Sequence, residues 1–161
     1  MSVRRNDLAP SFQLAGTDGT DAGRRIYALE EFRGHPVVLV FYPGDDTPVC
    51  TAQLNRYTKE FPSFAGVGAT VLALSPQSVD SHERFVANQG GFAFPLLADP
   101  DKAVGEAYGV VGPLGFYRRS TFVVDADGVV RWVQRSITGL TFPSSADLVE
   151  AVAAAIEPPV S

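Results

Sequence analysis

Pro36-Val37-Val38-Leu39-Val40-Phe41-Tyr42 runs straight into Pro43-Gly44-Asp45-Asp46-Thr47-Pro48-Val49-Cys50-Thr51, and the folding of this stretch decides the architecture. The first half is unbroken apolar sequence, the pattern of a strand buried on both faces of an α/β sheet, and it predicts the central strand. The second half carries a helix start: Thr47 can cap, Pro48 suits the first helical position, and Cys50 then falls in the first turn. Cys50, Leu54, Tyr57 and Phe61 share one helical face until Pro62 ends or kinks the helix. Two readings of Cys50 follow. A helix N-terminus offers unpaired N–H groups and a positive dipole end that favour thiolate over thiol. The same apolar stripe equally describes a small buried hydrophobe.

Outward from this junction, strand and helix alternate. Residues 8–14 alternate apolar and polar before Gly16-Thr17-Asp18-Gly19, which predicts a short strand covering a sheet edge and then a turn. Residues 69–75 read as a second buried strand, 79–89 as a helix closed by Gly90-Gly91, 94–97 as a short strand, and 102–108 as a short helix before the glycine-rich loop 109–115. Residues 120–124 and 129–134 flank Asp125-Ala126-Asp127-Gly128, a hairpin signature that makes the sheet mixed. A last helix spans about 145–156, with Pro158-Pro159 marking its end. The expectation is a single domain over residues 1–161, of class α/β, with a mixed central sheet flanked by helices.

Composition narrows the function. With 161 residues, 45% hydrophobic, the chain can bury a sizeable core. A formal net charge of −5 argues against nucleic acid as a partner. No stretch is long and apolar enough to span a membrane, and a lone cysteine excludes an internal disulfide framework or a multi-thiolate zinc site. Both fit a soluble protein of a reducing, cytoplasmic compartment. His35 and His82 are expected at the surface, and no metal or other cofactor is expected. Asp125-x-Asp127-Gly128 lacks the later ligands of a calcium loop, and the loop 109–115 lacks the lysine and spacing of a phosphate-binding loop. Phe116-Tyr117 fits a pocket wall or a subunit contact equally well.

The remaining chemistry is Cys50, the Thr47 hydroxyl, and Arg118-Arg119 at the head of a late strand. A guanidinium beside a thiol would stabilise thiolate, and strand alternation lets at most one of the two arginines reach it. Pro43-x-x-x-Thr47-x-x-Cys50 resembles the active-site motif of the peroxiredoxins. The Thr-Pro-x-Cys-Thr form, Arg119-Ser120-Thr121-Phe122-Val123-Val124-Asp125 with Gly128, Phe92 to Asp99, and Ala107-Tyr108-Gly109-Val110 are similar to the bacterioferritin comigratory protein branch. The resemblance covers about residues 9–156 and implies a thioredoxin-like fold. It implies that Cys50 is the peroxidatic nucleophile and that Thr47 orients thiolate and peroxide. Arg119, three residues before Phe122, would stabilise both, and Pro43 would shield the pocket.

Two departures from that branch stand out. Asn55 occupies the position where many members carry a second cysteine, and Val49 stands where glycine is common. A one-cysteine form would reduce hydrogen peroxide or organic hydroperoxides through a sulfenic acid, then borrow an external thiol: thioredoxin, glutaredoxin or a low-molecular-weight thiol. The alternative is a peroxide sensor or redox-regulated binding protein using the same cysteine without efficient turnover. A disulfide reductase is excluded by the missing second thiol. The resemblance allows a monomer or a homodimer. Asp45 and Asp46 would oppose a thiolate if they faced it, and both are expected to point to solvent.

Overall fold

The computed structural model describes residues 3–136 and 140–156. Its frame is a seven-stranded mixed sheet of β1 (Gln13–Thr17), β2 (Arg25–Ala28), β3 (Val37–Phe41), β4 (Thr70–Ser75), β5 (Leu96–Ala98), β6 (Ser120–Val124) and β7 (Val130–Arg135), in the order β2-β1-β5-β4-β3-β6-β7. The β3–β4 and β4–β5 pairs are parallel, and the other pairs are antiparallel. The helices are α1 (Pro48–Lys59), α2 (Phe61–Gly66), α3 (Val79–Asn88), α4 (Ala103–Tyr108) and α5 (Ser145–Ile156).

Strand β3 is buried along its whole length because both its faces carry a core. Val38, Val40 and Tyr42 face α1, α2, α3 and α5, with Cys50, Leu54, Tyr57, Phe64, Phe85, Leu148 and Val152 across from them. Val37, Leu39 and Phe41 face the other way, onto Phe122, Tyr108, Tyr117 and the N-terminal residues Val3, Ala9 and Phe12. A strand with two buried faces cannot show polar alternation, which is why residues 36–42 read as continuous apolar sequence.

The predicted elements are present, with three differences. The first strand begins at Gln13 and includes Gly16-Thr17, and it is interior, lying between β2 and β5. The edge belongs to β2, where Arg25 and Ile26 are exposed, Tyr27 is buried and Ala28 half-buried, an order with no alternation strong enough to announce a strand. Pro62 sits in the first turn of α2, so the proline that closes one helical run opens the next. The hairpin from β6 to β7 turns at Asp125–Gly128 as expected, with Gly128 at φ 84 and a register shift at Val123/Val124. The Asp125 carboxylate accepts from the backbone N–H groups of Asp127 and Val129, both at 2.9 Å, and from Arg131 Nε at 2.7 Å. The glycine-rich loop starts as the C-terminal cap of α4, with Gly109 at φ 71. It then divides Phe116, exposed, from Tyr117, which is buried and donates its hydroxyl to Asp99. Pro158-Pro159 lie outside the described residues.

Candidate active site

Cys50 occupies the first turn of α1, directly beyond the C-terminal end of β3, and no part of it is exposed. The helix begins as the residue types require: Thr47 is extended at φ −87 and ψ 149, Pro48 follows at the start, and the Thr51 N–H reaches the Thr47 carbonyl at 2.9 Å. The Thr47 hydroxyl does not cap the helix. It donates backwards to the Gly44 carbonyl at 2.9 Å, because Asp46 adopts a left-handed φ of 60 that folds the loop under Thr47. Pro43 and Thr47 are exposed, on the loop that joins β3 to α1.

Arg119 reaches Cys50 from β6. Its backbone carbonyl accepts from the Ser136 N–H at 2.9 Å, so strand pairing extends one residue beyond Ser120, and alternation turns Arg119 toward the α1 face with Thr121 and Val123. Arg119 is 3% exposed and its Nη2 donates to Cys50 Sγ at 3.1 Å, whereas Arg118 projects into solvent. Full burial alone would suit an inert apolar cysteine. A buried guanidinium aimed at the sulfur does not, because an ionised donor is costly to desolvate and is placed where negative charge is to be held.

Gln53, unremarked in the sequence, completes this arrangement. It is fully buried, accepts from Arg119 Nη1 through Oε1 and donates through Nε2 to the Tyr57 hydroxyl at 3.3 Å. Tyr57 in turn donates to the Pro143 carbonyl at 2.7 Å, and burial raises its phenol above the ordinary range. The signal was available: Gln53 lies three residues after Cys50, on the face already marked by Leu54 and Tyr57. Asn55, at the position of the missing second thiol, donates from Nδ2 to Gln89 Oε1 at 2.9 Å and so ties α1 to the end of α3.

Two expectations are corrected. Asp46 is exposed, but Asp45 is buried. Its Oδ1 accepts from the Tyr42 hydroxyl at 2.7 Å, Oδ2 accepts from Ser81 Oγ at 2.8 Å and meets His82 Nδ1 at 2.7 Å, and its N–H donates to Gln77. His82 is likewise buried, not at the surface, with Nε2 at 2.9 Å from the Leu97 carbonyl. Each group satisfies the other inside the fold, which is the condition for burying either. His35 is exposed. Among the described residues, no group of three or more His, Cys, Asp or Glu side chains gathers in a form that could hold a metal ion, and no helix is long and apolar enough to cross a membrane.

Fold and site together define a thioredoxin-like protein that presents one thiol, at the head of a helix, to a buried arginine. The AhpC/TSA family model matches residues 6–133. The chain is 37% identical to peroxiredoxin Bcp of Xanthomonas campestris over 131 residues, covering 77% of this chain and 78% of that protein. It is 36% identical to a putative peroxiredoxin of Mycobacterium tuberculosis over 138 residues, covering 81% and 84%. Among solved structures, peroxiredoxin Q of Xanthomonas campestris superposes with a TM-score of 0.76 at 32% identity, covering 89% of this chain and 90% of that one. AhpC of Mycobacterium bovis matches in fold at a TM-score of 0.86 and 23% identity, covering 96% and 93%. The chain belongs to the AhpC/TSA family and is a peroxiredoxin of the Bcp/Q kind, a thiol peroxidase whose sequence holds a single cysteine.

Proposed function

We propose that Cys50 is the peroxidatic residue and that an external thiol completes each turnover. The hydrogen bond from Arg119 Nη2 to Cys50 Sγ carries this reading. As thiolate, the sulfur attacks the nearer peroxide oxygen. The S–O bond forms as the O–O bond breaks, and the departing alkoxide or hydroxide takes up a proton to leave as alcohol or water. Arg119 stabilises the negative charge on sulfur and on the oxygen that develops it, and Gln53 holds the guanidinium in plane. Thr47 and Pro43, on the loop that leads into α1, orient the peroxide and limit water.

The resulting sulfenic acid has no second thiol within the chain. One external thiol condenses with it, releasing water and leaving a mixed disulfide, and a second displaces the first as a disulfide and restores Cys50. Thioredoxin, glutaredoxin and low-molecular-weight thiols all fit this chemistry, in the reducing cytoplasm that a lone thiol suits. Rapid mixing with hydrogen peroxide, with sulfenic acid trapped and weighed by mass spectrometry, tests the reading. The wild-type protein is expected to outpace a free thiol, with no product in Cys50→Ser. A rate equal to that of a free thiol overturns it.

A further inference from the structure

Asp45 and His82 meet in the interior, joined through Tyr42 to the core cluster that holds the thiol, and neither takes part in the chemistry above. From the end of β3 comes the Tyr42 hydroxyl, bonded to Asp45. The loop before α3 supplies Gln77, and α3 supplies Ser81. The β5 strand offers only the Leu97 carbonyl. From α1, Cys50 lies in the same cluster as Tyr42 and accepts from Arg119. Asp80 and Glu83 sit on the outer side of α3, where Arg24 pairs with both.

The hydrogen-bond partners limit where the hydrogens can sit. A carbonyl can only accept, so His82 Nε2 carries hydrogen. Asp45 Oδ2, 2.7 Å from Nδ1, already accepts from Ser81, while Oδ1 is occupied by Tyr42. Nδ1 also lies 3.4 Å from the Tyr42 hydroxyl, but that hydroxyl is committed to Asp45 at 2.7 Å, and a bare lone pair facing the carboxylate would be repulsive, so one hydrogen lies between Nδ1 and Oδ2. Donation by Tyr42 and Ser81 to the two carboxylate oxygens favours its place on the ring. Burial first, and then the negative charge of Asp45 and Cys50, hold the Tyr42 phenol well above its ordinary range. It stays a donor, and it is in electrostatic reach of both the carboxylate and the sulfur.

We propose that His82 is held as a buried imidazolium whose task is to neutralise Asp45, so that the carboxylate can fasten the Pro43–Thr47 loop without opposing a thiolate at Cys50. His82 is thus a positioning residue acting through Asp45. The loop needs Asp45: its N–H and both carboxylate oxygens anchor the turn that carries Pro43, Gly44 and Thr47 to Gln77, Tyr42 and α3. Without a compensating cation the same anchor would leave an uncompensated negative charge against the Tyr42 hydroxyl, which is also in electrostatic reach of the nucleophile. The inference rests on the reading of Cys50 as nucleophile, but its test needs no peroxide.

The first measurement is the 15N spectrum of the histidine rings in the reduced full-length protein near neutral pH, with His82 assigned by the surface variant His35→Gln. Both ring nitrogens of His82 are expected to carry hydrogen, and a bare Nδ1 overturns the proposal. The second is the ultraviolet absorbance of the Cys50 thiolate followed against pH. His82→Gln should lower the thiolate fraction at a given pH by about tenfold. Asp45→Asn/His82→Gln should return it to within about threefold of wild type. An unshifted titration in His82→Gln, or a double variant as displaced as the single one, overturns the proposal. Should His82→Gln fail to fold, the ring spectrum of the wild-type protein still decides. If peroxide leaves Cys50 unoxidised while the titrations behave as stated, the peroxidatic reading fails and this one stands.

Discussion

At the scale of single residues, the two neighbouring arginines are the sharpest contrast. Arg119 is buried against Cys50 while Arg118 faces water, so identical charges one position apart should differ in their effect. Arg119→Ala is expected to slow oxidation of Cys50 by about 100-fold or more, the usual loss of a donor aimed at developing charge. Arg118→Ala should leave the rate within about twofold, as for a surface site away from the chemistry. Stopped-flow mixing with peroxide distinguishes them, and the reverse ranking would show that the contact at 3.1 Å is not the productive one. The approach of one arginine and not its neighbour to Cys50 was readable, because strand period lets only one of Arg118 and Arg119 face the helix. Asp45 and His82 were misread because a polar residue announces its own chemistry but not its partner. Their meeting joins a loop after β3 to a helix after β4, and only the folded chain brings them together.

At the scale of elements, two junctions carry predictions. The β6–β7 turn depends on the Asp125 carboxylate. Burial acts to raise its pKa, but the Val129 N–H, Arg131 and the Asp127 N–H outweigh it and hold the group below the ordinary carboxylate value. A depressed folded pKa means that the stabilisation is present above the unfolded carboxylate pKa and is lost as pH falls through the folded one. Asp125→Asn should therefore cost about 2 kcal/mol near neutral pH and lose less on acidification than wild type, as read by urea unfolding at several pH values. The β1–β5 seam depends on Gly16, where an added Cβ would lie 2.5 Å from Leu97 Cδ2 and 2.8 Å from the Leu96 carbonyl oxygen. Gly16→Ala is expected to lower stability by about 2 kcal/mol in the same assay. Helices with caps and strands with two buried faces were legible as sequence. Strand β2 was not, since a short exposed edge is held by its register with β1, from Gln13↔Ala28 to Gly16↔Arg25, and not by any apolar pattern of its own.

At the scale of the whole molecule, the sheet separates two cores, and the thiol belongs to one of them. Phe122 sits in the other, edge-on to Phe41 and Tyr108 with the Arg135 guanidinium 5.1 Å from its ring centre. Phe122→Leu should lower stability by about 1–3 kcal/mol, visible as a drop in Tm. The rate of Cys50 oxidation should stay within about twofold, because the sheet lies between the two sites. A parallel fall in rate and stability would mean that the cores are coupled across it. The alternation of buried strands and helices made this layered plan readable, whereas the assignment of each helix to a face depended on crossovers that no local pattern records. One contact across the thiol-bearing layer has a larger meaning. Where a second sulfur would have to travel toward Cys50, Asn55 instead clasps Gln89 and binds α1 to α3. No disulfide within the chain can therefore pull α1 away from α3, and oxidation is recorded on one sulfur and not as a new crosslink of the fold.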